Sequence, residues 1–308
     1  MFSFLCRLMQ LTRREKPIFL HSYLTVANVL AILLKPFFPR MRIVWGVRVS
    51  NMDLTKYDWT ARLTFRAECL LSPFADLIIV NSHAGRDYHL RHGFPADKMV
   101  VVPNGIDTQR FKPDREARAR VRQEWGISER ERLIGMVGRI DPMKDHRTFL
   151  RSAALLAGKV EGVRFACVGD GDEAFQSQVR AFSEELGLSD RLIWAGARKD
   201  MAAVYNAMDI ISSSSIGEGF PNVIAEAMAC GIPCVVTDVG DSARIVGETG
   251  VVVPPRRPAE MVQGWQTMLQ ILREKKGLVG EEARARITRE FGLDLLVERT
   301  YAALEKLA

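Results

Sequence analysis

Two short segments of this 308-residue chain carry residue types suited to an anionic, hydroxyl-rich ligand. The first is Gly138-Arg139-Ile140-Asp141-Pro142-Met143-Lys144, in which Arg139 and Lys144 lie five positions apart on one expected strand-to-helix loop. A guanidinium fork and an ammonium on such a loop suit a diphosphate, although Arg139 is equally placed to pair with Asp141. The second segment runs from Ser213 through Gly217-Glu218-Gly219-Phe220-Pro221-Asn222-Val223 to Glu226. Pro221 suits the first turn of a helix, where its missing N–H has no intrahelical partner. The N–H groups of Asn222 and Val223 then point outward, and Gly217 and Gly219 let backbone approach a ligand closely. Glu226 follows after about 7.5 Å of helical rise, within reach of a hydroxyl group beside the phosphates. Glu218, on the loop, is suited to the edge of a sugar ring. Taken singly, each glutamate also reads as an ordinary surface carboxylate.

The elements that must position these residues alternate regularly from residue 130 onward. Short β-branched runs at Leu133–Val137, Val163–Val168, Arg191–Ala195, Asp209–Ser212, Pro233–Thr237 and Val251–Val253 read as strands. Helical patterns fall between them at His146–Leu156, Ala174–Leu186, Met201–Ala207, Asn222–Ala229 and Ser242–Val246. That order predicts a parallel sheet covered on both faces. Gly231 and Pro233 stop one helix before the next strand. Pro258 to Leu307 reads as helical with a break near Phe291–Gly292.

The first third repeats the grammar with strands at Ile18–His21, Arg42–Gly46, Leu77–Asn81 and Val100–Val102, and helices at Thr25–Leu34 and Thr60–Leu71. Pro103–Pro113 is the expected hinge. The predicted organisation is therefore α/β: a partial N-terminal Rossmann-like domain over 1–112, a second doubly wound domain over 113–290, and a final helix over 291–308 returning towards the first. Two such domains face a cleft at the carboxyl ends of their strands, where helix N-termini converge.

Composition narrows the function classes. Hydrophobic residues are 47% and charged residues 26%, which excludes a disordered or collagenous chain. The five cysteines are odd in number, scattered and without a C-x-x-C pair, as expected for reduced thiols of a cytoplasmic protein. Residues 1–112 hold 16 Lys/Arg against 8 Asp/Glu, whereas 113–308 hold 27 against 29. The basic excess therefore sits in the first third, where it attracts anionic lipid, nucleic acid or an acidic substrate. Basic and aromatic residues do not interleave there, which argues against nucleic acid. Met1–Arg14 places Phe2, Leu5, Leu8 and Leu11 or Thr12 on one stripe, with Arg7, Arg13 and Arg14 among or after them. Such a stripe packs on a sheet or lies on a membrane surface.

Taken in order, the motifs resemble the family 4 retaining glycosyltransferases of the GT-B fold. The resemblance rests on Val102-Pro103-Asn104-Gly105-Ile106-Asp107 with Phe111 and Pro113, Gly138-Arg139 with Lys144, and the E-x7-E pair Glu218/Glu226. Gly231-Ile232-Pro233-Cys234-Val235 and Thr249-Gly250-Val251-Val252-Val253-Pro254-Pro255 complete it. It implies that Arg139 and Lys144 hold the donor diphosphate, Glu226 the ribose hydroxyls, and Glu218 the donor sugar. It further implies that the backbone of Phe220, Pro221, Asn222 and Val223 forms the phosphate and sugar loop, and that Arg198 lies beside the base. His21 and Arg48 are the acceptor-side candidates. The implied substrate is a nucleotide-diphosphate sugar, the implied acceptor a glycan or lipid-linked glycan of the kind used in cell-envelope polysaccharide synthesis, and no metal or other cofactor is expected. Peripheral contact with an anionic membrane is a further expectation.

The chain also departs from the family pattern. Family members begin with a strand and glycine-rich turn that this sequence lacks; about two or three strand-helix units, at roughly 30 residues each, are expected to be missing. The segment Trp45-Gly46-Val47-Arg48-Val49-Ser50 carries no histidine where many members have one. Two alternatives follow: an inactive member that binds donor only, and a sugar-nucleotide epimerase of the same fold. Gly169-Asp170-Gly171-Asp172-Glu173-Ala174 formally fits a dinucleotide fingerprint. Its three acids would crowd a pyrophosphate, and the next strand lacks the expected acidic ribose ligand.

Overall fold

The computed structural model describes residues 2–48, 50, 58–275 and 277–307. The chain forms two compact units, Met1–Asn104 with Leu296–Ala308, and Gly105–Leu295. Residues 105–112 pack with the second unit, ahead of the expected boundary at Lys112. The Ile106 N–H donates to Phe291 O at 2.8 Å, and Phe111 enters that unit's core.

In the first unit the order is α1 (Phe2–Glu15), β1 (Phe19–Tyr23), α2 (Thr25–Leu34), β2 (Arg42–Val47), α3 (Trp59–Leu71), β3 (Leu77–Val80), α4 (His83–Arg91) and β4 (Met99–Val101). The four strands make a parallel sheet in the order β1-β2-β3-β4. Successive side chains of a strand point to opposite faces. Ile43, Trp45, Ile78 and Val80 accordingly meet α1, α2 and α3 on one face, while Val44, Leu77 and Ile79 meet Leu296, Ala303 and Leu304 of the last helix on the other. Helix α1 joins the core through Leu8 and Met9, with Thr12 buried and Phe4 and Leu11 left exposed. The packed half of its stripe thus covers the sheet.

The second unit contains α5 (Arg115–Glu124), β5 (Arg132–Val137), α6 (His146–Ala157), β6 (Val163–Val168), α7 (Glu173–Glu185), β7 (Leu192–Gly196), α8 (Met201–Ala207), β8 (Ile210–Ser213), α9 (Asn222–Ala229), β9 (Cys234–Thr237), α10 (Ser242–Val246), β10 (Val251–Val253), α11 (Pro258–Lys275) and α12 (Leu278–Phe291). The last helix, α13 (Leu293–Glu305), follows. Its six strands are parallel in the order β10-β9-β8-β5-β6-β7. The chain runs from β5 outward to β7, then returns to place β8 on the other side of β5. That reversal creates a topological switch point, outside whose strand ends ligands of such sheets bind. Both faces are covered: Phe149, Phe165 and Trp265 centre one core, and Tyr205, Ile211, Ile224 and Val236 the other.

Helices α4 and α5 were not anticipated. Along α5 only Ala117, Val121 and Arg122, with its buried guanidinium, turn inward, too few apolar residues to show a helical stripe. The tail breaks between Phe291 and Leu293 as expected, and breaks once more at Gly277, whose φ of 94° closes α11 from α12. No helix among the described residues is long and apolar enough to cross a membrane, and all five cysteines are free.

Candidate active site

Strands β5 and β8 flank the switch point, and the loops that leave them are clasped together. The Ile216 N–H donates to Met143 O at 2.8 Å, and the buried Ser214 Oγ reaches Lys144 O and Asp145 O at 2.9 and 3.0 Å. Asp141 accepts from the Met143 N–H, closing a short turn over Pro142–Lys144. Asp145 then adopts a left-handed conformation, φ 48°, and caps α6 by accepting from the Thr148 N–H and hydroxyl. These bonds fix the backbone that carries Lys144.

The Lys144 ammonium faces the second loop, with Nζ 2.5 Å from Glu218 Oε1. The side chains are only 20% and 13% exposed. Ser215 Oγ donates to the same carboxylate oxygen at 2.7 Å, and Thr237 Oγ1 holds Ser215 O at 2.6 Å. The glycine loop rests on the turn after β9. The Asp241 N–H donates to Gly219 O, and a Cβ on Gly240 would strike the carbonyls of Glu218 and Gly219. Phe220 is buried against Phe291 at 5.5 Å, anchoring the loop to the core. Pro221 is the N-cap residue of α9, with Asn222 the first helical position. First-turn amides of a helix have no intrahelical acceptor and carry the positive end of its dipole. Val223 is half-buried in this turn.

Glu226 lies one turn along α9, half-buried, with Oε2 accepting from the Tyr205 hydroxyl at 2.7 Å. Tyr205 is fully buried, and burial together with Glu226 raises its phenol well above the usual range, so the hydroxyl stays a donor. Arg139 projects into solvent, 80% exposed, and its nearest carboxylate, Asp141, is 3.9 Å away. The local Arg139–Asp141 pairing is therefore a loose surface contact that leaves the guanidinium accessible. His146, which follows Lys144 and Asp145, is buried and pushed down to about 4, by burial first and Lys144 second, so it stays neutral.

Arg198, after β7, is engaged by neighbouring carboxylates. It bonds Asp200 at 2.8 and 2.9 Å, pairs with Glu124, and stacks over Trp125. Its hydrogen bonds hold the Asp200 carboxyl below the usual range despite partial burial. In the first unit, His21 stacks on Tyr23 at 4.4 Å and Arg48 lies 5.3 Å over the same ring. Arg48 also donates to Asn104 Oδ1 at 2.5 Å. Burial and then Arg48 lower the His21 pKa, favouring neutral imidazole at physiological pH. No cluster of three or more His, Cys, Asp or Glu among the described residues is arranged to hold a metal ion.

The glycines of Gly169-Asp170-Gly171 have a packing role. A Cβ on Gly169 would strike Gly138 O, one on Gly171 would strike Ile140 O, and the Gly138 and Ile140 N–H groups donate to Val168 O and Asp170 O at 2.9 Å. The motif thus supports the Arg139 loop. Ser214, Ser215, Thr237, Gly240 and Tyr205 were not among the sequence candidates. The run of hydroxyls Ser212–Ser215 at the carboxyl end of a buried parallel strand is the signal that would have found two of them.

The two loops thus bring a lysine ammonium, the first turn of α9 and the carboxylates of Glu218 and Glu226 together in the second unit. The family description "Glycosyltransferase Family 4" matches residues 1–110, and "Glycosyl transferases group 1" matches residues 131–270. A D-inositol 3-phosphate glycosyltransferase of Segniliparus rotundus is 34% identical over 233 residues, 73% of this chain and 50% of its own length. The putative glycosyltransferase EpsF of Bacillus subtilis is 29% identical over 201 residues, 63% of this chain and 52% of its own. The chain thus spans about half the length of the curated relatives it matches. Among solved structures, Anabaena HepE in complex with UDP superimposes with a TM-score of 0.87 at 21% identity, covering 98% of this chain and 82% of that one. Sucrose-phosphate synthase from Thermosynechococcus elongatus gives 0.84 at 20% identity, covering 99% and 77%. With two Rossmann-like units, and both glycosyltransferase patterns matched in order along the sequence, the chain belongs to the family 4 glycosyltransferases of the GT-B fold.

Proposed function

We propose that the chain transfers a sugar from a nucleotide-diphosphate sugar to a glycan or lipid-linked acceptor with retention of configuration. The observation that carries this reading is the clasp of the β5 and β8 loops at the switch point, which sets Lys144 beside the glycine loop that leads into α9. Lys144 and the accessible Arg139 would take the diphosphate, together with the backbone of Phe220–Val223. Glu226, with Oε2 oriented by Tyr205, would accept from the ribose hydroxyls, and Glu218 from the sugar. Cations and helix dipole would offset the negative charge that grows as the anomeric C–O bond to the diphosphate breaks, with no metal needed. The departing phosphate would accept the acceptor's proton as the new glycosidic bond forms. HepE structures with UDP and with UDP-glucose support a nucleotide-sugar donor. A panel of nucleotide sugars with glycan and lipid-linked acceptors, EDTA present throughout, tests the reading. Acceptor-dependent release of a nucleoside diphosphate, with the donor's anomeric configuration kept in the product, supports it; epimerised donor with no transfer refutes it.

Replacing Glu226 with alanine is expected to weaken donor binding roughly tenfold or more, the scale of a hydrogen bond to a charged group. Titration calorimetry showing equal affinity would remove Glu226 from the site.

On the acceptor side, His21 and Arg48 remain the proposed contacts, and the first unit suits a lipid-linked molecule. An apolar groove of about 670 Å³, lined by Phe4, Leu8, Leu20, Leu24 and Val26, opens beside His21 and Tyr23. Arg7, Arg13 and Arg14 are exposed on the adjoining helix α1. Apolar surface with exposed cations on the same helix suits an anionic lipid interface. The chain should float with vesicles containing phosphatidylglycerol and release at high salt, and an Arg13→Glu/Arg14→Glu variant should stay behind. Flotation indifferent to salt and to both substitutions would reject this partner.

A further inference from the structure

We infer that Glu218 is a resident competitor for Lys144, and that its recapture of the ammonium expels the nucleoside diphosphate after transfer. The inference rests on the proposed reading that Lys144 meets the donor diphosphate. The carboxylate is held far more firmly than the cation. Ser215 Oγ bonds Glu218 Oε1 at 2.7 Å, and Ser215 is itself held through its carbonyl by Thr237. The backbone beside it is pinned by the Asp241 N–H and by the close packing of Gly240. Lys144 is a flexible four-carbon arm ending in three donors. An arriving diphosphate must therefore draw Lys144 towards itself while the carboxylate stays in place.

The exchange favours intact donor over product. Sugar hydroxyls can donate to Glu218 and restore its lost partner. The terminal phosphate of a nucleoside diphosphate, once ionised, offers Glu218 no such donor, so one anion then faces another in a partly dehydrated corner where charges are poorly screened. When the anomeric C–O bond has broken, the glycosyl group has joined the acceptor oxygen and the acceptor's proton has passed by way of the diphosphate to solvent, only that unfavourable arrangement remains. Glu218 then recovers Lys144.

Glu218→Gln tests this, because the amide keeps the volume and can still accept from Ser215. Binding of UDP, GDP and ADP, and of the corresponding nucleotide sugars, would be measured by calorimetry, with product inhibition followed in parallel. The expected result is about tenfold tighter nucleoside diphosphate binding, from loss of one nearby like charge, with nucleotide-sugar binding unchanged or weaker. In a Lys144→Met background the same substitution should give a clearly smaller gain, because only the like-charge part remains; a gain as large as in the unmodified chain overturns the exchange. Glu218→Ala, which removes the same charge, should shift binding in the same direction, and serves if Glu218→Gln fails to fold. If Lys144→Met weakens nucleoside diphosphate binding but Glu218→Gln does not tighten it, the inference fails while the reading of Lys144 stands. If no nucleoside diphosphate binds, or Lys144→Met binds it normally, the reading fails and the inference with it.

Discussion

Lys144→Ala is expected to lower donor turnover by about 10²–10³-fold, the scale observed when one charge-stabilising donor is removed from an active site. The loop bearing Lys144 is fixed by backbone bonds and by Ser214, so the lost side chain changes the charge of the corner without loosening its frame. Glu218 keeps Ser215 as a partner, which holds the stability cost to about 1–2 kcal/mol. Arg139→Ala should also reduce turnover, with no measurable change in stability because that guanidinium is 80% exposed. Steady-state rates beside thermal melts separate the effects. A kcat loss with KM little changed means that the cations act on charge developing in the transition state. Unchanged turnover in both variants would remove the pair from the chemistry.

Asp209→Ala is expected to destabilise the second unit by about 3–5 kcal/mol, the scale for breaking a buried ion pair. The Asp209 side chain is 6% exposed and pairs with Arg118 at 2.9 Å and with Arg122 and Arg132 at 3.1 Å. It also accepts from the Leu133 N–H at 2.8 Å. Arg122 is itself buried and bonds the carbonyls of Ala207, Ser128 and Glu131, so the carboxylate ties α5 and the segment before β8 to the start of β5. Burial pushes the Asp209 carboxyl up, but Arg118, the Leu133 N–H, Arg122 and Arg132 together outweigh it and hold the carboxyl below the usual range. A depressed carboxyl stabilises fully above its unfolded value, near pH 4, and this contribution fades as pH falls towards the folded value. Urea midpoints should therefore drop on acidification below pH 4 in the unmodified chain, and less in Asp209→Ala. A variant with an unchanged midpoint at pH 7 would show the cluster to be dispensable.

Most strands and helices of the second unit were legible because they are short, β-branched or periodic, and many are bounded by glycine or proline. Val163–Val168 and Asn222–Ala229 have the boundaries expected from sequence. Helix α5 was hidden because its inward face holds Ala117, Val121 and Arg122, with the remaining positions charged or polar. In the site, residue types on the two loops pointed to a diphosphate. Their mutual contacts could not be read, since Lys144 and Glu218 are 74 positions apart. The same distance hid the commitment of Arg198 to Glu124. Tyr205 was invisible for another reason: it looks like an ordinary core aromatic until its hydroxyl is seen to meet Glu226. The acids at 170, 172 and 173 already argue against a cofactor motif, but the packing role of the glycines at 169 and 171 needed the neighbouring loop, whose carbonyls leave no room for a Cβ.

The most direct test is a crystal structure of the chain with the nucleoside diphosphate that binds it best. The Lys144 ammonium and the first-turn amides of α9 are expected on the same diphosphate, with Glu226 on the ribose. A nucleotide bound elsewhere, with Lys144 still on Glu218 and no anion at the start of α9, would contradict it.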